Sequence, residues 1–174
     1  MLRAFLLGAG AAVVAATAAV AAETIVTMNK ITAQGVGEAI GTVRFVDAPQ
    51  GITITPNLKG LPPGEHGFHV HQNPSCAPGD GPNGQPAAGL AAGGHYDPAH
   101  TGKHLGPHGA GHKGDLPKLA VADDGTAIRA MTVPNLKVEE LRGRSLMIHA
   151  GGDNYADQPQ PLGGGGARIA CGVF

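Results

Sequence analysis

The chain has 174 residues, 42% hydrophobic, 14% charged and only 3% aromatic, with a formal net charge of −1. That length suits one domain with a real hydrophobic core. The near-neutral balance, the absence of a basic stripe and the scarcity of aromatics exclude a nucleic-acid footprint.

The first segment stands apart from the rest. Met1-Leu2-Arg3 precedes an uncharged run from Ala4 to Ala22, mostly Ala, Val, Leu and Gly, which ends Ala19-Val20-Ala21-Ala22 before Glu23. A positive start, an apolar middle and a small-residue end are the parts of a secretory signal. An uncleaved anchor is the competing reading, because the run is about long enough to span a bilayer. Its alanine and glycine content is weakly hydrophobic, which favours a signal at residues 1–22 and a domain at 23–174. Cleavage removes Arg3 alone, leaving 11 Lys+Arg against 13 Asp+Glu, a charge of −2. No other apolar run approaches spanning length, so no stable membrane span is expected after processing.

From Glu23 onward the pattern is period-two alternation punctuated by turns, with no extended helical periodicity. Thr24, Val26 and Met28 mark a first strand. A second runs through Ile40, Val43 and Phe45 to the turn Ala48-Pro49-Gln50-Gly51, and Ile52 and Ile54 mark a third. The fourth is Gly67-Phe68-His69-Val70-His71. In a strand, residues i and i+2 share a face, so His69 and His71 project side by side while Phe68 and Val70 face a core. Two imidazoles on one rigid strand form a metal grip; a half-exposed strand with two polar residues is the plain alternative. Further on, Leu119-Ala120-Val121 and Thr126-Ala127-Ile128 flank Asp123-Asp124-Gly125, a hairpin signal. Ser145–His149 and Arg168–Val173 complete eight strands. Eight short strands in a chain of this size predict an eight-stranded antiparallel Greek-key barrel or sandwich.

The gap from Pro74 to Pro117 is too long for an unorganised loop in a compact domain. It carries His95, His100, His104, His108 and His112. The last four recur every fourth residue, but Gly102, Gly106, Pro107, Gly109 and Gly111 break any helix there. Metal can order such a loop, since its binding energy substitutes for a missing apolar core; a disordered His-rich tract is the other reading. Spacing does not choose among the five. His149, on the face of its strand shared with Met147, gains weight only from company. Cys76 and Cys171 are an even pair in a chain that carries an export signal, so a disulfide is the default and two buried thiols the alternative.

Four segments in order resemble the copper/zinc superoxide dismutase family in its bacterial exported form: GFHVHQNPSC (67–76), GGHYDPAHTGKHLGPHGAGHKGDLP (93–117), MIHAGGDNYAD (147–157) and GGGGARIACGV (163–173). The resemblance covers nearly all of residues 35–174. It implies copper on His69, His71, His95 and His149, and zinc on His95, His104, His112 and Asp115, with His95 bridging the two ions. It also implies that Asp153 links a ligand of each metal and that Arg168 is the cation beside copper. His66 is then a hydrogen-bonding neighbour, and His100 and His108 are loop surface.

The implied activity is conversion of superoxide to dioxygen and hydrogen peroxide by alternating Cu(II)/Cu(I) reduction and oxidation. Zinc is structural and tunes His95, which takes and passes on a proton. The implied location is periplasmic or otherwise exported, and related bacterial enzymes leave both a monomer and a homodimer open. The run Gly163–Gly166 departs from the cytosolic form of the family, where a charged loop steers the anion. Steering must come from elsewhere, with Lys103, beside His104, as the candidate. A metal buffer of the same fold and a structural barrel with decayed ligands are the competing classes. The complete ligand set argues against decay, and Arg168 against a buffer, which does not need it.

The leader reading has a direct check. Protein recovered from the cell envelope should begin at Ala22 or Glu23 by N-terminal sequencing. Recovery of chains that still begin at Met1 would favour the anchor.

Overall fold

The computed structural model describes residues 21–174, so all but the last two residues of the expected signal lie outside it. Strands β1 (Glu23–Thr32), β2 (Gly35–Ala48) and β3 (Gly51–Leu58) form a meander at the start of the chain. β4 (Gly64–His66) and β5 (Phe68–His71) follow, then the long loop with a small hairpin, β6 (Gly79–Asp80) and β7 (Pro86–Ala87). β8 (Leu119–Val121), β9 (Met131–Val133), β10 (Ser145–His149) and β11 (Arg168–Val173) complete the set. Seven of them make one curled antiparallel sheet in the order β5-β10-β11-β1-β2-β3-β9, and β4 pairs with β8. Neighbours such as β1 beside β11 and β5 beside β10 are distant in sequence, the mark of Greek-key connections. The expected all-β antiparallel architecture is present.

Alternation builds the core as the sequence predicts. Along β3, Ile52, Ile54 and Leu58 are buried, and Val43 and Phe45 meet them from β2. Phe68 and Val70 from β5 pack with Leu146 and Ile148 from β10 in the same cluster. The opposite face of these two strands carries His69, His71, Met147 and His149, because Met147 pairs across from His69. That face is buried as well: every residue of β5 and β10 is covered. The 74–117 loop does the covering. A second, smaller core joins Cys76 and Ala92 of the loop to Ile31, Met147 and Cys171 of the strands.

One local expectation differs from the structure. Asp123-Asp124-Gly125 does make its turn, with Gly125 at φ +80 and Ala122 N donating to Thr126 O at 2.8 Å. Thr126–Ile128 nonetheless forms no strand; Ala127 alone bridges to Leu58. Val121 has already found its partner in Gly64 of β4, so the tertiary pairing overrides the local hairpin. The place beside β3 at the end of the seven-stranded sheet is taken instead by Met131–Val133.

Gly67, between β4 and β5, is where the chain passes from one sheet to the other. A Cβ there would sit 3.1 Å from the His69 ring and 3.3 Å from His149 Cβ. Glycine keeps that crossing close to the histidines.

Cys76 and Cys171 are joined across 95 residues of chain, tying the loop to β11. The chain-entropy account assigns a loop of that length about 4–5 kcal/mol. Cys76→Ala/Cys171→Ala should lower unfolding free energy by roughly that amount in urea titrations. In the parent, thiol labelling under denaturing, non-reducing conditions should find neither cysteine free.

Candidate metal centre

The buried outer face of β5 and β10 is the foundation of the site. His69 and His71 arrive from β5, His149 from the end of β10, and His95 from the loop, which His71 and His95 join by a backbone bridge. Donor atoms of these four residues all lie within 4.8 Å of one another. A second group, His95, His104, His112 and Asp115, meets the same criterion and shares His95. A backbone bridge between His69 and Asp115 fixes this second group against β5.

Four of the rings, those of His69, His71, His104 and His149, are aimed by a partner on the far side, which is how a protein sets imidazole orientation and tautomer. His69 Nε2 donates to Asp153 Oδ2 at 2.7 Å, and His104 Nε2 donates to Asp153 Oδ1 at 2.7 Å. One carboxylate therefore holds one ring from each group. His71 Nδ1 donates to Gly93 O at 3.0 Å, and His149 Nδ1 to Gly166 O at 3.2 Å. His95 Nδ1 lies 3.0 Å from Asp115 Oδ1, and Asp115 Oδ2 lies 2.9 Å from His104 Nδ1.

Burial decides the charges. It holds His69 below its ordinary pKa, lowers His71 and His149 well below it, and pushes His95 down to about 4. These four rings are neutral at pH 7, as ligands must be. For His104, burial opposes the charge, but hydrogen bonds to Asp115 and Asp153 outweigh it and raise the ring to about 9. For Asp115 and Asp153, burial works toward the neutral form, yet their histidine partners hold both well below the usual carboxylate range.

Do these residues fit metal ions? His71 and His149 are neutral and spend their single N–H groups on carbonyls, so both Nε2 atoms carry lone pairs. They face each other at 3.4 Å. Two acceptors at that distance repel unless a cation lies between them. In addition, His69 Nδ1, His95 Nε2 and His112 Nδ1 are buried without a hydrogen-bond partner. Donors bound at about 2.0 Å to one tetrahedral ion are roughly 3.3 Å apart, the size of the spacings here. Four imidazoles suit Cu(II), and three imidazoles with a carboxylate suit zinc.

Arg168 opens β11 directly opposite His149. Its Nη1 donates to Gly89 O at 2.6 Å and its Nη2 to Gly93 O at 2.7 Å. Gly93 O also receives His71 Nδ1, so one carbonyl fixes both side chains. Burial lowers the Arg168 pKa without threatening its charge.

The structure thus brings together His69, His71, His95, His104, His112, Asp115, His149, Asp153 and Arg168. His100 and His108 stay exposed in the loop, and neither joins either donor group. His66 is buried between two carbonyls, those of His149 and Pro62, each at 2.8 Å, and braces the end of β10. Lys103 is exposed and its backbone carbonyl receives His112 N at 2.9 Å.

Nothing in the sequence pointed to the carbonyls of Gly93 and Gly166, since backbone acceptors have no residue signature. The glycine run could have been a signal. A Cβ on Gly163 would overlap Asp153 Oδ1, and one on Gly165 would lie 3.1 Å from His149 Cβ. The run is bare because it closes directly over the histidine–carboxylate cluster.

Fold and site together define a β-barrel metalloprotein with two donor clusters joined through one imidazole. Residues 39–174 match the family model described as copper/zinc superoxide dismutase (SODC). The Escherichia coli superoxide dismutase [Cu-Zn] is 54% identical over 164 residues, 94% of each chain. The Brucella abortus Cu/Zn superoxide dismutase structure superposes with a TM-score of 0.85 at 53% identity, covering 87% of this chain and 99% of its own. The solution structure of the monomeric copper, zinc superoxide dismutase from Salmonella enterica gives 0.78 at 57% identity, with the same coverage. The chain belongs to the copper/zinc superoxide dismutase family.

Asp153→Asn keeps the shape but turns one of two acceptor oxygens into a donor facing an imidazole N–H. One ring must then reverse its tautomer or lose its brace. Metal affinity should fall about 10- to 100-fold, as for other residues that orient ligands. Competition with a chromophoric chelator measures it.

Proposed function

We propose that this chain dismutes superoxide at a copper ion held by His69, His71, His95 and His149, beside a zinc ion held by His95, His104, His112 and Asp115. The observation that carries the reading is the shared imidazole, His95, with an arginine anchored on the same carbonyl as a neighbouring ring. When bound, copper supplies a one-electron Cu(II)/Cu(I) couple and zinc a fixed positive charge on His95.

The chain's own residues supply the rest. Two superoxide anions and two protons become one dioxygen and one hydrogen peroxide, so the site must attract an anion and deliver protons. Arg168 has five N–H donors and uses two on Gly89 and Gly93. The remaining donors and the charge can seat a small anion by charge-assisted hydrogen bonds. His95 Nε2 takes a proton and hands it on to the reduced substrate. Asp153 keeps His69 and His104 in place while this happens, and the half-buried guanidinium keeps its geometry through its carbonyl anchors.

Export accounts for the remaining features. The leader at 1–22 directs the chain out of the cytoplasm, and a structural disulfide suits the oxidising periplasm. Both a monomer and a homodimer fit this reading; the Salmonella enterica relative is described as monomeric, and sedimentation velocity decides between them.

The test is superoxide consumption by metal-loaded protein, with copper and zinc counted by elemental analysis. Arg168→Lys should lose rate modestly, keeping charge without the fork. Arg168→Ala should lose about 10- to 100-fold, the worth of one or two charge-assisted hydrogen bonds. Arg168→Glu should be slowest, and all three should hold both metals. A fully loaded Arg168→Glu that matches the parent at low ionic strength would falsify the role of this arginine.

A further inference from the structure

The turn before β10 reaches into the loop that carries the second donor group. Glu140, in a short 3₁₀ turn (Val138–Leu141), forms an ion pair with Lys113, which stands between His112 and Asp115. Its other carboxylate oxygen accepts from Lys137 N at 3.0 Å. Arg144 lies with its guanidinium carbon 3.5 Å from the centre of the Tyr96 ring, the residue after His95. Arg144 Nε donates to Glu140 O at 2.8 Å, and Nη1 reaches Gln72 O, just beyond His71, at 3.4 Å.

Tyr96 is where these contacts matter. Its N–H donates to Val70 O at 2.8 Å, between His69 and His71, and its carbonyl accepts from Gly114 N at 2.8 Å, beside Asp115. The residue under the guanidinium therefore knots three segments that carry donor atoms. Between Tyr96 and Leu116 the loop adds no residue to the buried hydrophobic clusters, while a metal site needs its donors held to about 0.5 Å. A flat guanidinium stacked on a buried ring, tied at two further points, restricts that freedom.

We infer that Arg144 and Glu140 are positioning residues that hold His95 and the His112–Asp115 turn in place from outside the metal centre. The inference rests on reading those residues as zinc ligands. Neither side chain is a donor in either cluster, and each acts through the residue next to one.

The experiment uses the mature, metal-loaded protein and three variants: Arg144→Met, Arg144→Lys and Glu140→Gln. Zinc affinity is read by chelator competition, and the copper environment by the Cu(II) electron paramagnetic resonance spectrum. Arg144→Met should weaken zinc about tenfold and shift the copper spectrum, because His95 serves both ions. Arg144→Lys should recover part of that loss, keeping charge over Tyr96 without the fork. Glu140→Gln should weaken zinc by a smaller factor and leave the copper spectrum in place.

Variants that melt earlier yet hold zinc with parental affinity and an unchanged spectrum overturn the inference, since only a structural role remains. If Arg144→Met does not fold, the other two decide: parental zinc affinity in both overturns it. A parent that takes up no zinc defeats the ligand reading itself, and this inference with it.

Discussion

Two carboxylates and a cluster of imidazoles are buried against one face of a β-barrel, and the rest of the structure answers that constraint. Burial penalises charge steeply unless partners compensate. Here it keeps His69, His71, His95 and His149 neutral, while Asp115 and Asp153 stay ionised because histidines bond to them. The lone pairs that remain point inward at one another, an arrangement that positive ions complete. Metal binding is thus the electrostatic resolution of the fold as well as the source of its chemistry.

The barrel and the loops divide the work. β5 and β10 supply three histidines from strands whose opposite faces are fixed by Phe68, Val70, Leu146 and Ile148. The loop supplies the rest and has to be brought in and held. Cys76–Cys171 tethers it at one end, and the small core around Ala92 and Met147 seats it. Asp153 locks His104 to His69 across the two clusters. The Gly163–Gly166 run then closes over the top, where any side chain at Gly163 or Gly165 would intrude. That run brings no charged side chain of its own to the cluster.

Arg168 shows how position turns a common residue into a specific one. Its backbone lies across from His149, and its side chain shares Gly93 O with His71. A movement of that carbonyl would displace both the cation and one donor ring. Anchoring them together keeps their separation constant.

Much of this was legible in the chain. Period-two alternation gave the core face of β3 and β5, because side-chain direction in a strand follows position alone. The His-Val-His spacing placed two donors side by side for the same reason, and the even cysteine count, in a chain expected to be exported, gave the bridge. Four ordered segments carried the rest by resemblance. Spacing alone could not choose His104 and His112 over His100 and His108, because in a glycine-rich loop direction depends on turns that tertiary contacts set. The strand pairing of Val121 with Gly64, the carbonyls of Gly93 and Gly166, and the stacking of Arg144 on Tyr96 likewise had no local signature. Sequence by itself determined which residue types were available and which faces of the strands they occupied. Only the tertiary structure decided which loop histidines turn inward and what holds each ring, because those choices depend on backbone groups far apart in the chain.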